Sequence, residues 1–270
     1  MEFLTITSSQ NNSMKHLVKL RDKRTREREQ LTLLEGYREL TRAQEYGMEI
    51  IECYFAPEFF LGSNEMPLLE SFAAKGVKVA RVAPFLLEKV TYRERPEGLL
   101  AVAKMREHTL EMLPEFDKPL YLVAETIEKP GNLGSMLRSA DAAGADALIV
   151  CEKMTDLYNP NVIRASTGAI FSVPTAVCDN ESAMAYLRQR GVKILAATPH
   201  TDFKFTDVDL TQPVALLVGA EQTGLTDFWM EQADLKVNIP MLGKIDSLNV
   251  ASAATILLYE AARQRGFKKR

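Results

Sequence analysis

Apolar and polar positions along this chain switch repeatedly between the spacing of helices and that of strands. Met14, Leu17 and Val18 recur at helical intervals, with Ser9 or Asn11 placed to cap them, which predicts one helix over residues 11–28. Beyond it the pattern gives a strand at 31–34, a helix at 36–46, a strand at 48–55, a helix at 65–75 and an extended run at 77–82. Pro84 opens a further short helix, and the turn Arg95-Pro96-Glu97-Gly98 leads into a strand at 99–104. This alternation predicts a small α/β domain over residues 1–106. Periodicity then lapses through the charged, proline-bearing segment 107–118, which reads as a linker.

After the linker, near-continuous apolar runs at 120–125, 147–151, 173–177, 192–197 and 214–218 alternate with helical patterns at 132–143, 161–169, 181–190 and 247–264. Leu235, Val237 and Ile239 add a strand pattern. Strands apolar throughout are those covered on both faces, so residues 119–270 predict a second α/β domain built on a parallel sheet. In such sheets ligands bind beyond the carboxyl ends of the strands. No internal repeat or low-complexity segment interrupts the order.

Composition narrows the class. The 270 residues are 46% hydrophobic and 26% charged, with no apolar run of membrane-spanning length and no signal-like N-terminus, so a cytoplasmic protein is expected. Cys53, Cys151 and Cys178 are far apart and read as buried thiols; His16, His108 and His200 are equally scattered, and no metal site is expected. The net charge is −3, but Lys15, Lys19, Arg21, Lys23, Arg24, Arg26 and Arg28 face only Asp22 and Glu27, a local balance of +5. That density suits phosphates, or equally a solvated, salt-bridged helix face.

Three loops carry the candidate chemistry. In Pro130-Gly131-Asn132-Leu133-Gly134-Ser135-Met136-Leu137-Arg138, Asn132 can cap the helix, and Arg138 either grips a phosphate or pairs with a carboxylate. Gly219-Ala220-Glu221-Gln222-Thr223-Gly224-Leu225 follows an apolar strand; its glycines could admit a ligand that Glu221 binds. In Ile239-Pro240-Met241-Leu242-Gly243-Lys244-Ile245-Asp246-Ser247-Leu248-Asn249-Val250, Gly243 permits close backbone approach and Ser247 can cap the last helix. Glycine-rich dinucleotide and phosphate loops and a His-Glu-x-x-His motif are absent.

Taken together, Asn-x-Gly-x-x-x-Arg at 132–138, Gly-x-Glu-x-x-Gly-Leu at 219–225 and Ile-Pro-Met-x-Gly-x-x-x-Ser-Leu-Asn-Val at 239–250 resemble the three motifs of the SpoU or TrmH family of RNA ribose 2′-O-methyltransferases, in the SPOUT superfamily. Arg164–Ala169 and Val173-Pro174 resemble its intervening segment, and residues 1–106 resemble its RNA substrate-binding domain. Lys129 stands where the family often has Asp. The resemblance implies a methyltransferase domain with a C-terminal deep trefoil knot, a homodimer, and S-adenosyl-L-methionine as cofactor. It implies that Thr198, Gly219, Ile239 and Leu248 line the cofactor pocket, and that Asn132, Arg138, Glu221, Ser247 and Asn249 surround the reacting ribose. Lys15, Lys19, Lys23, Arg24, Arg26 and Arg28 are the expected RNA contacts, with ribosomal RNA favoured over transfer RNA. The competing readings are a SPOUT RNA base methyltransferase and an RNA-binding or ribosome-assembly factor without turnover.

Overall fold

The computed structural model describes residues 3–268 and divides into two compact units. In the first, β1 (Leu4–Ile6), α1 (Asn12–Leu20), α2 (Lys23–Glu29), β2 (Leu31–Glu35), α3 (Tyr37–Glu45), β3 (Ile50–Phe55), α4 (Glu65–Ala74), β4 (Lys78–Val82), α5 (Pro84–Val90) and β5 (Leu99–Lys104) follow in order. The sheet order is β1-β4-β3-β5-β2; β4 runs parallel to β1 and β3, while β5 is antiparallel to β3 and β2. Met14, Leu17 and Leu20 of α1 join Leu86, Leu87 and Val90 of α5 in the core against one sheet face. The segment read as a single basic helix is two, because Asp22 takes an extended conformation and its carboxylate accepts from Thr25 N at 3.0 Å, capping α2. Asn11, not Ser9, caps α1.

The second unit contains β6 (Leu120–Glu125), α6 (Pro130–Ala143) and β7 (Ala147–Cys151). The chain then passes through α7 (Pro160–Ser166) and α8 (Ala169–Ser172), and continues with β8 (Thr175–Cys178), α9 (Asn180–Gln189), β9 (Lys193–Ala197), β10 (Val214–Val218), α10 (Asp227–Gln232), β11 (Leu235–Val237) and α11 (Val250–Gln264). All six strands are parallel, in the order β11-β9-β10-β6-β7-β8. Tyr121 and Val123 point to one face with Ile149, Ile194, Leu217 and Trp229. Strand side chains alternate, so the equally buried Leu120 and Leu122 point to the other. The two-sided burial predicted from the apolar runs is therefore present.

Two boundaries differ from the sequence reading. Residues 107–118 are not a free linker: Leu110 and Leu113 are buried in the second unit's core, and Val177 N donates to His108 O at 2.8 Å. Residues 158–171 leave the second unit and belong to the first. There Thr32 Oγ1 donates to Tyr158 O, Arg106 N to Tyr158 Oη at 2.8 Å, and Arg42 Nη1 to Thr167 O at 2.9 Å. The helix predicted at 161–169 breaks at Thr167 and Gly168, both with positive φ. Among the described residues no helix is long and apolar enough to cross a membrane, and no cluster of His, Cys, Asp or Glu could hold a metal ion.

Candidate functional site

The carboxyl ends of adjacent strands bring the candidate residues together in the second unit. Thr198 follows β9, Gly219 follows β10, and Ile239 lies two residues beyond β11, so three of the four proposed cofactor contacts sit at the same edge of one sheet. Thr198 is buried, its N–H bonded to Val237 O and its Oγ1 accepting from His200 N at 3.2 Å. Leu248 is half-buried near the end of the long loop after β11. Across 239–248 no main-chain N–H or C=O makes a hydrogen bond among the described residues, and a Cβ added to Gly243 would meet open space. Backbone groups this exposed require water or a ligand as partner.

Glycine at 219 also has a cause internal to its loop. A Cβ there would lie 2.2 Å from the C and O atoms of Gly224, because the loop closes on itself through Ala220 N to Gly224 O and Gly224 N to Ala220 O. The absence of a side chain serves the loop's own closure, which turns Glu221 outward.

Glu221 is the centre of a polar cluster. Its Oε1 accepts from Asn132 Nδ2 at 3.0 Å and from Asn249 Nδ2 at 2.6 Å, while its Oε2 pairs with Lys129 Nζ. Asn249 Nδ2 also donates to Asn132 Oδ1 at 3.1 Å. Three segments separated by 28 to 117 residues of sequence thus meet at one carboxylate. The Lys129 ammonium first, and the Asn132 and Asn249 amides with it, hold the Glu221 carboxyl below the usual glutamate range, against a small opposing effect of burial.

Two cap assignments are corrected here. The helix α6 begins at Pro130 with Lys129 as its N-cap, so Asn132 lies inside the first turn and spends its amide on Glu221. The cap of α11 is Asn249, whose Oδ1 accepts from Ala251 N and Ser252 N; Ser247 is exposed and its hydroxyl donates to Asp246. One side chain therefore both starts α11 and reaches the cluster.

Arg138 is not brought to that cluster. It is exposed, with no side-chain partner among the described residues. Six helical positions past Asn132, it lies about 120° around α6 and about 9 Å along it.

Sequence reasoning missed Glu125. It is 1% exposed at the end of β6, where Oε1 accepts from Asn180 Nδ2 and Thr226 Oγ1, both at 2.7 Å, and Oε2 accepts from Thr226 N at 2.8 Å. Asn180 Oδ1 in turn accepts from Trp229 Nε1 at 2.7 Å. The network ties the end of the Glu221 loop to the central strand. A lone acid closing an otherwise apolar run was the available signal.

In the first unit Lys15, Lys19, Lys23, Arg24 and Arg28 are exposed, Lys23 pairing with Glu27 and Arg28 with Glu29. Arg26 departs from the expected RNA surface. It is 3% exposed, and its Nη1 donates to Leu20 O and Arg21 O, joining the two short helices.

The profile of the SpoU rRNA Methylase family matches residues 119–259, and that of the MRM3-like substrate binding domain matches residues 11–101. Over 251 residues the chain is 35% identical to a 23S rRNA (uridine(2479)-2′-O)-methyltransferase of Streptomyces viridochromogenes, covering 91% of this chain and 86% of that protein. It is 29% identical to the 23S rRNA (guanosine(2553)-2′-O)-methyltransferase RlmP of Bacillus subtilis, covering 94% and 97%. The AdoMet-bound rRNA methyltransferase from Sinorhizobium meliloti superposes with a TM-score of 0.86 at 29% identity, over 96% of this chain and 97% of that one. With the parallel sheet, the three converging loops and these similarities in agreement, the chain belongs to the SpoU rRNA methylase family.

Proposed function

We propose that this protein transfers a methyl group from S-adenosyl-L-methionine to a ribose 2′-hydroxyl of ribosomal RNA, acting in the cytoplasm as a homodimer. The observation that carries the reading is the meeting of Asn132, Glu221 and Asn249 at one exposed point beside the carboxyl ends of the strands. The unbonded backbone of 239–248, with the open face of Gly243, fits a cofactor held by main-chain groups, and Thr198, Gly219, Ile239 and Leu248 are its proposed contacts. In this reading the segment folds into the trefoil knot of the family. When bound, S-adenosylmethionine supplies an electrophilic methyl group on a sulfonium.

The protein's own part is orientation and charge. An oxygen nucleophile must sit in line with the bond it displaces, and such positioning supplies up to roughly 7–11 kcal/mol of a barrier. Glu221, held ionised, is a poor proton acceptor at neutral pH, so its role is to fix the two amides that face the ribose. Ser247, exposed beside Asn249, completes the ribose contacts. Arg138 stays protonated and stabilises the developing oxyanion or an adjacent phosphate. Its place on another face of α6 favours action on the site of the second subunit. Lys15, Lys19, Lys23, Arg24 and Arg28 supply phosphate affinity.

The test uses ribosomal RNA from a strain lacking the gene. Purified protein with the cofactor should produce one 2′-O-methyl nucleoside by mass spectrometry; a methylated base, or no product, refutes the reading. Mixing Arg138→Ala with Asn249→Ala subunits should restore roughly a quarter of wild-type turnover if the sites are shared across a twofold dimer. No recovery refutes the shared site alone.

A further inference from the structure

The first unit contains a cleft of about 490 Å³ that is separate from the basic helices α1 and α2. Its volume lies within the range of small-ligand pockets, about 300–1,000 Å³. Four pieces of chain form it: the start of α3, the turn before α4, the turn 93–97, and the end of α7. The side chains are arranged by charge. Arg38 and Arg164 are exposed at the rim, and Arg38 makes no side-chain hydrogen bond or ion pair among the described residues. The nearest bond of Arg164 is to the neutral Asn161 Oδ1 at 3.1 Å. Beneath them Glu39 and Glu65 are 3% and 4% exposed; Arg93 pairs with Glu39 at 3.0 Å and with Glu97, so three carboxylates share one guanidinium and the floor keeps an excess of negative charge. Glu65 Oε1 accepts from Leu61 N and Gly62 N, while its buried Oε2 has no hydrogen-bond partner. The half-buried ring of Tyr37 and the exposed amide of Asn64 also line the wall.

Phosphate or an acidic peptide is favoured at such a rim and repelled from such a floor. A planar, uncharged group bearing N–H donors is favoured inside, with an anion attached that stays outside. A nucleotide of single-stranded RNA has that form: its base offers N–H donors and a face for stacking, and its phosphate lies at the edge. We propose that this cleft seats one unpaired nucleotide of the RNA substrate, base inward against Tyr37 and the carboxylates, phosphate between Arg38 and Arg164. Guanine, with adjacent N–H donors on its pairing edge, suits the acceptor-lined floor best. The proposal rests on the reading of the protein as an RNA methyltransferase and adds the site by which its first unit selects an unpaired position.

The experiment measures binding of in vitro transcribed 23S ribosomal RNA to the full chain by filter retention. The double variant Arg38→Ala/Arg164→Ala should weaken RNA binding at least tenfold and lower the log–log salt slope by roughly 1–2. The dissociation constant for S-adenosylmethionine should stay within twofold of wild type. Arg38→Lys/Arg164→Lys should recover part of the affinity, which separates charge from a folding defect. On wild-type protein, ultraviolet crosslinking should attach an unpaired nucleotide to the peptide containing Tyr37, and this readout needs no variant. Affinity within twofold of wild type for the alanine pair, or crosslinks confined to other peptides, overturns the proposal. RNA binding that depends on the cleft in a protein yielding no 2′-O-methyl product overturns the methyltransferase reading instead.

Discussion

Replacing Glu125 by Gln exchanges one carboxylate oxygen for an NH2 group and tests the network behind the Glu221 loop. Glu125 accepts three hydrogen bonds and donates none. The direction of the chain is set from its far end, because the Trp229 indole can only donate; Asn180 must therefore turn its oxygen to Trp229 and its amide to residue 125. A glutamine has one acceptor and one donor group at its tip. If its oxygen faces Asn180, its NH2 meets the Thr226 N–H; if its oxygen faces Thr226, its NH2 meets the Asn180 amide. Either way a donor in a nearly dry site loses its acceptor, at about 1–3 kcal/mol. For a unit of this size each kcal/mol lowers the midpoint by about 2–4 °C, so calorimetry should find a fall of roughly 4–8 °C for a 2 kcal/mol loss. Thr226 ends the loop that presents Glu221, so turnover should drop by about 5–30-fold if 1–2 kcal/mol is also lost from the aligned state. An E125Q protein melting within 1 °C of wild type (roughly 0.3–0.5 kcal/mol) with unchanged turnover refutes the reasoning.

Other expectations follow from the same geometry. Asn249→Ala removes a helix cap and an amide of the cluster, costing about 1 kcal/mol of stability and reducing single-turnover rates. Asn249→Asp keeps the cap oxygen but sets a second carboxylate against Glu221, so it should lose turnover while its melting loss shrinks as pH falls and one of the two carboxylates protonates; a melting loss equal to that of Asn249→Ala at every pH would count against the dual role. Gly219→Ala forces a Cβ into the Gly224 backbone and should cost about 1–3 kcal/mol by urea melting, whereas an unchanged midpoint would show that the loop opens freely. Because Lys129 lowers the Glu221 pKa, the ionised cluster is complete above the ordinary glutamate value of 4.5 and is lost as pH falls through the lowered value. Turnover should show no acid limb from this group near neutrality, and Lys129→Met should move that limb upward; a limb that stays in place would remove Lys129 from the site.

Much of the second unit was legible because its strands are buried on both sides and keep their apolar character from end to end. The caps were not. Ser247 and Asn249 are both good caps by composition, and only the contact of the Asn249 amide with Glu221, a long-range event, selects between them. Asn132 was misplaced for a related reason, since Pro130 starts α6 two residues earlier and releases the asparagine for the cluster. Arg26 looked like one more cation in a basic run. The break at Asp22 folds α2 back so that this guanidinium is consumed by the carbonyls at the end of α1. Local periodicity contains no term for such a break. The cleft in the first unit was likewise invisible, because Arg164 and Thr167 reach it from more than a hundred residues downstream of Arg38.

The excursion of residues 158–171 bears on how this architecture can be cut and recombined. A graft of residues 1–106 alone onto another unit would carry the sheet without α7, which packs on β2, and without the Tyr158 carbonyl that accepts from Thr32. A working chimera must transplant two stretches together. The first unit is not a detachable prefix; its last piece lies inside the stretch that matches the methylase family.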